Sequence, residues 1–253
     1  MDVVFVVDGT GSMVDAIDNV KSGINDIISA VNAASGGDYR IALVTFEDVV
    51  HVNATFDVNE SDIVDMINNL TASGGGFPPE ASDQALNVTI NNLPADNIHI
   101  FPNPPYITDG FNTSFGPNAL KLVILITDAP LGGYDDTYTS GVDDVNAHQV
   151  ALDAAAKGIK IVAIYVPTGG VESETEAIMK DYAATTGGAY YLAAPDGSGV
   201  SQAIQMIIRN CGSLVTVVGG EIIGGENYIN ETEIVLFAVV AATVVVLAMK
   251  YRK

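Results

Sequence analysis

Basic residues, histidine and cysteine are all scarce in this sequence. Lysine and arginine number 10 against 31 aspartates and glutamates in 253 residues, a formal charge of -21. A surface of that sign repels phosphate backbones and anionic headgroups at long range, which excludes nucleic acid as a partner and assigns the acidity chiefly to solubility. Cys211 is the single cysteine, so no intramolecular disulfide and no CxxC metal site can form. The histidines, His51, His99 and His148, are scattered without HExxH spacing, and neither a G-x-S-x-G elbow nor a GK[ST] phosphate loop occurs. His148 is expected to be a helix-surface or half-buried residue and not a base. The D-x-D-G-T phosphatase pattern fails at its nucleophile, because Val6 stands where the first aspartate is required. These absences favour a binding module over an enzyme.

What is present is a globular composition, 48% apolar and 16% charged, with chain enough for one domain of roughly 200 residues and an appendage. Apolar runs and helical periodicities alternate along it. DVVFVV (Asp2–Val7) is a continuous apolar run bounded by a turn, the mark of a strand buried on both faces. Val14, Ile17, Val20, Ile24, Ile27, Ile28 and Val31 recur at helical spacing until SGGD (Ser35–Asp38) breaks the helix. RIALVTF (Arg40–Phe46) and VHVNATF (Val50–Phe56) lie too close for a helical crossover, so the second strand is expected to be antiparallel. Ser61 is the expected cap of a helix through Leu70, GGGFPP marks a loop, and Glu80–Leu93 reads as another helix. KLVILIT (Lys121–Thr127) is a central strand. A helix over 143–157, a strand over 160–166, a helix over 172–185, a strand over 189–193 and a helix over 199–210 follow. No repeat occurs at solenoid periods. The expected fold class is α/β, a doubly wound, mostly parallel six-stranded sheet with one antiparallel edge strand.

The stretch Ile234–Met249, IVLFAVVAATVVVLAM, carries no charge and runs into Lys250, Tyr251, Arg252 and Lys253. At about 1.5 Å per residue it is somewhat short for a hydrocarbon core of about 30 Å, and snorkelling of Lys250 with an interfacial Tyr251 extends it. This predicts a domain over 1–210, a β-prone linker over 211–233, a transmembrane helix over 234–251 and a basic cytoplasmic tail at 252–253. The domain then faces outward, as in a single-pass protein of the cell surface. Asp2 follows Met1 and the apolar strand begins at once, so a leader is expected to have been removed or replaced by another export route. Asn53, Asn59, Asn69, Asn87, Asn112 and Asn230 each begin an N-x-S/T triplet, the pattern of an extracellular glycoprotein.

Ligands of doubly wound sheets gather at the carboxyl ends of the strands, where the strand order reverses. The loop leaving the first strand, DGTGSM, carries Asp8, Thr10 and Ser12 at alternate positions, with Gly9 and Gly11 allowing a tight turn. Carboxylate and hydroxyl oxygens without nitrogen or sulfur are what a hard divalent cation selects. Two further loops leave the same edge. One places Asp128 in TDAP directly after a strand, and the other places Glu80 at the end of TASGGGFPPE. Together they make an oxygen-rich constellation.

These motifs resemble the metal-ion-dependent adhesion site of the von Willebrand factor A domain, in its integrin-β-like and hemicentin-like branches, over roughly residues 2–210. The resemblance implies that Asp8, Thr10, Ser12, Glu80 and Asp128 hold Mg2+, with Mn2+ or Ca2+ as alternatives, and that the ligand supplies a carboxylate to an open coordination position. Phe77 stands where the related loop carries aspartate in GGGDxPE, which argues against a second cation site and leaves Thr71 or Ser73 as a fallback for Glu80. Asp15 is expected to be a solvated first-turn carboxylate. The function so implied is a surface-displayed, cation-dependent adhesion or protein-binding module. The alternative is a structural or assembly subunit of a cell-envelope complex, self-associating around a structural metal. The apolar stretch Gly212–Ile229 keeps that alternative open.

Overall fold

A computed structural model describes residues 1–75, 79–95, 109–132, 137–210, 216–218 and 221–223. Strand β1 (Asp2–Asp8) is buried along its whole length. Its alternating side chains feed two separate cores, Val4 and Val6 on one face, Val3, Phe5 and Val7 on the other. The chain then runs through α1 (Val14–Ser35), β2 (Arg40–Phe46), β3 (Val50–Ala54), α2 (Glu60–Asn68), α3 (Ser82–Asn91), β4 (Lys121–Thr127) and α4 (Asp143–Ala156). It continues through β5 (Ile159–Tyr165), α5 (Ser173–Thr186), β6 (Ala189–Leu192), α6 (Val200–Arg209), β7 (Thr216–Val218) and β8 (Glu221–Ile223).

The sheet order is β3-β2-β1-β4-β5-β6-β7-β8. All pairings are parallel except β3 on β2 and β8 on β7. Helices α3, α4 and α5 cover one face through Ala85, Leu86, Ala151 and Met179. Helices α1, α2 and α6 cover the other through Ile24, Ile27, Ile63 and Ile204. Both faces are dry, which is why the central strands are apolar without alternation. This is the expected α/β, mostly parallel architecture with its antiparallel edge strand β3.

Three details differ from expectation. The six expected strands are joined by two more, β7 and β8, inside the stretch expected as a linker. Their β-branched runs have an open edge at β6 to pair with, so the second edge of the sheet is also antiparallel. Ile223 pairs with Thr216, which returns the chain to the amino edge of the sheet, opposite Asp8. Asn59, not Ser61, caps α2: its side chain accepts from the Asp62 amide at 3.1 Å, and the Ser61 hydroxyl donates to it at 2.6 Å. Helix α3 begins at Ser82 because Glu80 is drawn into a bridge with Leu131.

The described part of the segment between α3 and β4 packs at the amino edge. Buried Asp2 accepts from Arg40 at 2.9 and 2.5 Å and from the Gly116 amide at 2.6 Å. Arg40 also donates to the Ser114 carbonyl at 3.1 Å and lies 4.5 Å over the Phe56 ring, which packs edge-on against Phe111 and Phe115. Among the described residues no helix is long and apolar enough to cross a membrane, and the expected spanning stretch 234–251 lies outside them.

Candidate metal centre

The strand order reverses between β1 and β4, and the loops leaving their carboxyl ends bring the sequence-predicted residues together. Asp8 closes β1 and is fully buried. Its Oδ1 accepts from the Thr10 amide at 2.9 Å and its Oδ2 from the Thr127 hydroxyl at 2.6 Å. Burial outweighs both bonds, the Asp128 charge adds to it, and the Asp8 pKa is pushed up to about 7.

The turn after Asp8 is fastened on two sides. Gly9 donates to the Phe46 carbonyl of β2 at 2.8 Å, Ser73 donates to the Gly9 carbonyl at 2.8 Å, and Gly11 donates to the Gly74 carbonyl at 3.3 Å. This approach needs glycine at position 75, where φ is +66° and a Cβ would lie 2.6 Å from Thr10 Cγ2 and 3.0 Å from Glu80 Oε1. The turn leaves the Thr10 and Ser12 hydroxyls 3.2 Å apart, with Thr10 buried and Ser12 exposed.

Glu80 arrives by backbone stitching. Its amide donates to the Pro130 carbonyl at 3.0 Å and its carbonyl accepts from Gly132 at 3.2 Å, so the loop before α3 is tied to the loop that carries Asp128. The Glu80 side chain is buried, and its Oε2 has no hydrogen-bond partner among the described residues. Burial first, then the charges of Asp8, Asp48, Asp128 and Glu47, push the Glu80 pKa up to about 8. Asp128 is half-buried and accepts from the Thr168 hydroxyl. Thr10, Ser12, Glu80, Asp128, Thr168 and Glu172 line a cleft of about 330 Å³. Asp8 does not reach its surface.

A divalent cation fits this donor set. Every candidate donor is an oxygen, as Mg2+, Mn2+ and Ca2+ prefer. An unpartnered buried carboxylate oxygen and two carboxyls whose ionisation is suppressed by burial and by their neighbours are what an added positive charge relieves. Among the described residues no three carboxylate, imidazole or thiol groups close into a ready-made cage. The donors are carboxylates interleaved with hydroxyls.

Thr71 and Ser73, the fallback ligands, are exposed and line a separate cleft of about 570 Å³ with Glu47, His51 and Asn53. Asp15 is exposed in the first turn of α1. Phe77 and His99 lie outside the described residues. Two positioning residues escaped the sequence reading. Thr127 lies beside Asp8, a neighbour that the β1–β4 register (Val7 against Ile126) dictates. Thr168, in the loop after β5, holds Asp128, and its signal was a hydroxyl in a third loop of the same edge. On the enzymatic side, His148 Nδ1 lies 2.8 Å from Asp181 on the α4–α5 surface, but the neighbouring Ser173 hydroxyl donates to Glu174. A Ser-His-Asp relay needs that hydroxyl on the imidazole.

The model of the von Willebrand factor A domain matches residues 2–107. Among solved structures, BatB from Bacteroides thetaiotaomicron aligns at 15% identity over 83% of this chain and 98% of that one, with a TM-score of 0.56. Proximal thread matrix protein 1 from the mussel byssus, with a zinc-occupied MIDAS motif, aligns at 20% identity over 83% of this chain and 45% of that one, TM-score 0.55. The PilB minor pilin from Streptococcus sanguinis aligns at 14% identity over 83% and 61%, TM-score 0.51. No curated protein sequence matches. The chain has a von Willebrand factor A-type fold.

Proposed function

We propose that this chain is a divalent-cation-dependent protein-binding module of the adhesion type, with Asp8, Thr10, Ser12, Glu80 and Asp128 as the cation's ligands. The observation that carries the proposal is Glu80 Oε2, a buried carboxylate oxygen with no partner among the described residues, in a cleft where Thr10, Ser12 and Asp128 supply the other oxygens. A bound Mg2+, Mn2+ or Ca2+ supplies a fixed positive charge that attracts a ligand carboxylate. The protein's own part is to hold that site rigid. Thr127 orients Asp8 and Thr168 orients Asp128, while the 73–75 backbone fixes the turn that carries Thr10 and Ser12. Hydroxyl ligands carry no charge, so they leave more of a cation's charge to an anionic partner than carboxylates in their places would.

A byssal thread matrix protein with a zinc-occupied MIDAS motif and a minor pilin share this fold, which supports a role in contacts between proteins. The reading extends to a cell-surface glycoprotein held by a single spanning segment over 234–251, with the C-terminus cytoplasmic. Chemistry on a substrate is not part of it.

The test is affinity capture by the full chain in detergent from surface extract, in Mg2+ or in chelator. The proposal expects proteins retained in Mg2+, released by chelator and not retained by Asp128→Ala. Retention indifferent to chelator, together with metal-independent self-association in light scattering, would instead make the chain an assembly subunit around a structural metal.

A further inference from the structure

We propose that the ligand is a protein segment that continues from the cation cleft into the groove between α4 and α5, seating an aliphatic side chain there and a lysine or arginine against the groove's acidic rim. This deepens the cation-dependent reading above and rests on it.

Helix α4 has two apolar faces. Ala147, Val150, Ala151 and Ala154 are buried against the core. Val145 and Leu152 point the other way, 59% and 43% exposed, and their spacing of seven residues aligns them on one side of the helix. Beside this stripe lies a groove of about 510 Å³ whose apolar lining includes Tyr138, Val145, Ala177 and Ile178. A contiguous exposed apolar surface with a polar rim is the usual form of a protein-binding site.

Charge selects the occupant. Asp144, Glu174 and Asp181 line the groove with His148, which lies 2.8 Å from Asp181, so Asp144 and Glu174 make the acidic rim, and the lining includes no lysine or arginine. The basic residue nearest in sequence, Lys180, is turned to the other flank of α5, bonded to Glu176 at 2.8 Å and lying 5.4 Å from the Tyr190 ring centre. A basic segment gains from that rim, whereas a second copy of a chain with net charge -21 brings acid against acid.

Continuity fixes the direction. Glu172 lines the cation cleft, and the next two residues, Ser173 and Glu174, line the groove, so only the start of α5 separates them. An extended segment whose carboxylate is at the cation therefore reaches the groove by running along the start of α5.

The probe is a library of 12-residue peptides with one fixed aspartate, selected on the full chain in detergent with Mg2+. The proposal expects enrichment of an aliphatic residue and a lysine or arginine on one side of the aspartate. It also expects Val145→Ser and Glu174→Gln each to weaken the best peptide by about fivefold, the loss of one partly buried aliphatic or charge contact. The Mg2+-induced rise in melting temperature should be unchanged in both variants, since Val145 and Glu174 lie on the surface. Peptides that bind with Mg2+ but show no flanking preference, or no response to Val145→Ser, overturn the groove and leave the cation site standing. Loss of self-association in Val145→Ser, without loss of peptide binding, assigns the stripe to a second copy and also overturns it. Absence of both peptide binding and any Mg2+ effect on native melting removes the cation reading and the groove with it.

Discussion

Thr127 donates a 2.6 Å hydrogen bond to Asp8 across the seam between β4 and β1, and its own oxygen accepts from the Ala129 amide at 3.2 Å. A buried carboxyl is thereby aimed by a buried hydroxyl that is itself fixed by the backbone. Thr127→Val keeps the shape and removes the donor. It should cost about 1–3 kcal/mol in urea unfolding and weaken Mg2+ binding by about tenfold or more, as loss of outer-sphere partners does. Thr127→Ser, which keeps the hydroxyl, should recover most of both.

The pH dependence of the metal-free protein follows from two carboxyls. Asp8 and Glu80 ionise near pH 4 in an unfolded chain, but the fold keeps them protonated up to about 7 and about 8. Between those limits the native state binds more protons than the unfolded state, so their contribution is complete below about pH 4 and is lost as pH rises through about 7 to 8. Denaturant stability without metal should therefore fall from about pH 5 to about pH 9, and millimolar Mg2+ should oppose the fall because the cation takes the protons' place. A metal-free stability that climbs over this interval contradicts the assignment.

Glycine substitutions separate loop strain from site chemistry. Gly36 caps α1 with φ +65° and has open space where a Cβ would go, whereas Gly75, at φ +66°, would press a Cβ onto Thr10 and Glu80. Gly36→Ala should cost about 1 kcal/mol, the left-handed penalty alone, and leave Mg2+ binding intact. Gly75→Ala should cost more and lose the Mg2+ response, as read by parallel thermal melts.

The strands were legible because parallel strands buried on both faces read as unbroken apolar runs, and Asp8, Thr10 and Ser12 because they follow the first of them at alternate spacing. Glu80 and Asp128 could be assigned to the same edge from topology alone. What could not be read depended on partners distant in sequence. Asn59 and Ser61 are both good caps, and the choice fell to the residue whose backbone is extended, Asn59 with ψ 155°. The three-residue strands β7 and β8 exist only because β6 offers an edge, which local composition does not announce. Thr127 acquires its role from strand register, and Thr168 from a contact with Asp128 across the crevice.

The amino edge should be energetically separate from the site. Arg40→Ala removes two bonds to Asp2 and one to Ser114, and should destabilise the domain by about 2 kcal/mol, the range for charged hydrogen bonds at a partly exposed position. The increment in stability from Mg2+ should be unchanged, because Asp2 and Asp8 end β1 on opposite sides. A loss of that increment would show the two edges to be coupled.

Asp8, Thr10, Ser12, Glu80 and Asp128 are proposed to hold a divalent cation. The most direct test of this is calorimetric titration of Mg2+ into metal-free protein, beside Asp8→Ala and Asp128→Ala and with thermal melts at each end point. One saturable site and a raised melting temperature are expected in the native protein, and neither in the two variants. Native protein that takes up no Mg2+, Mn2+ or Ca2+ and melts at the same temperature with and without them would contradict it.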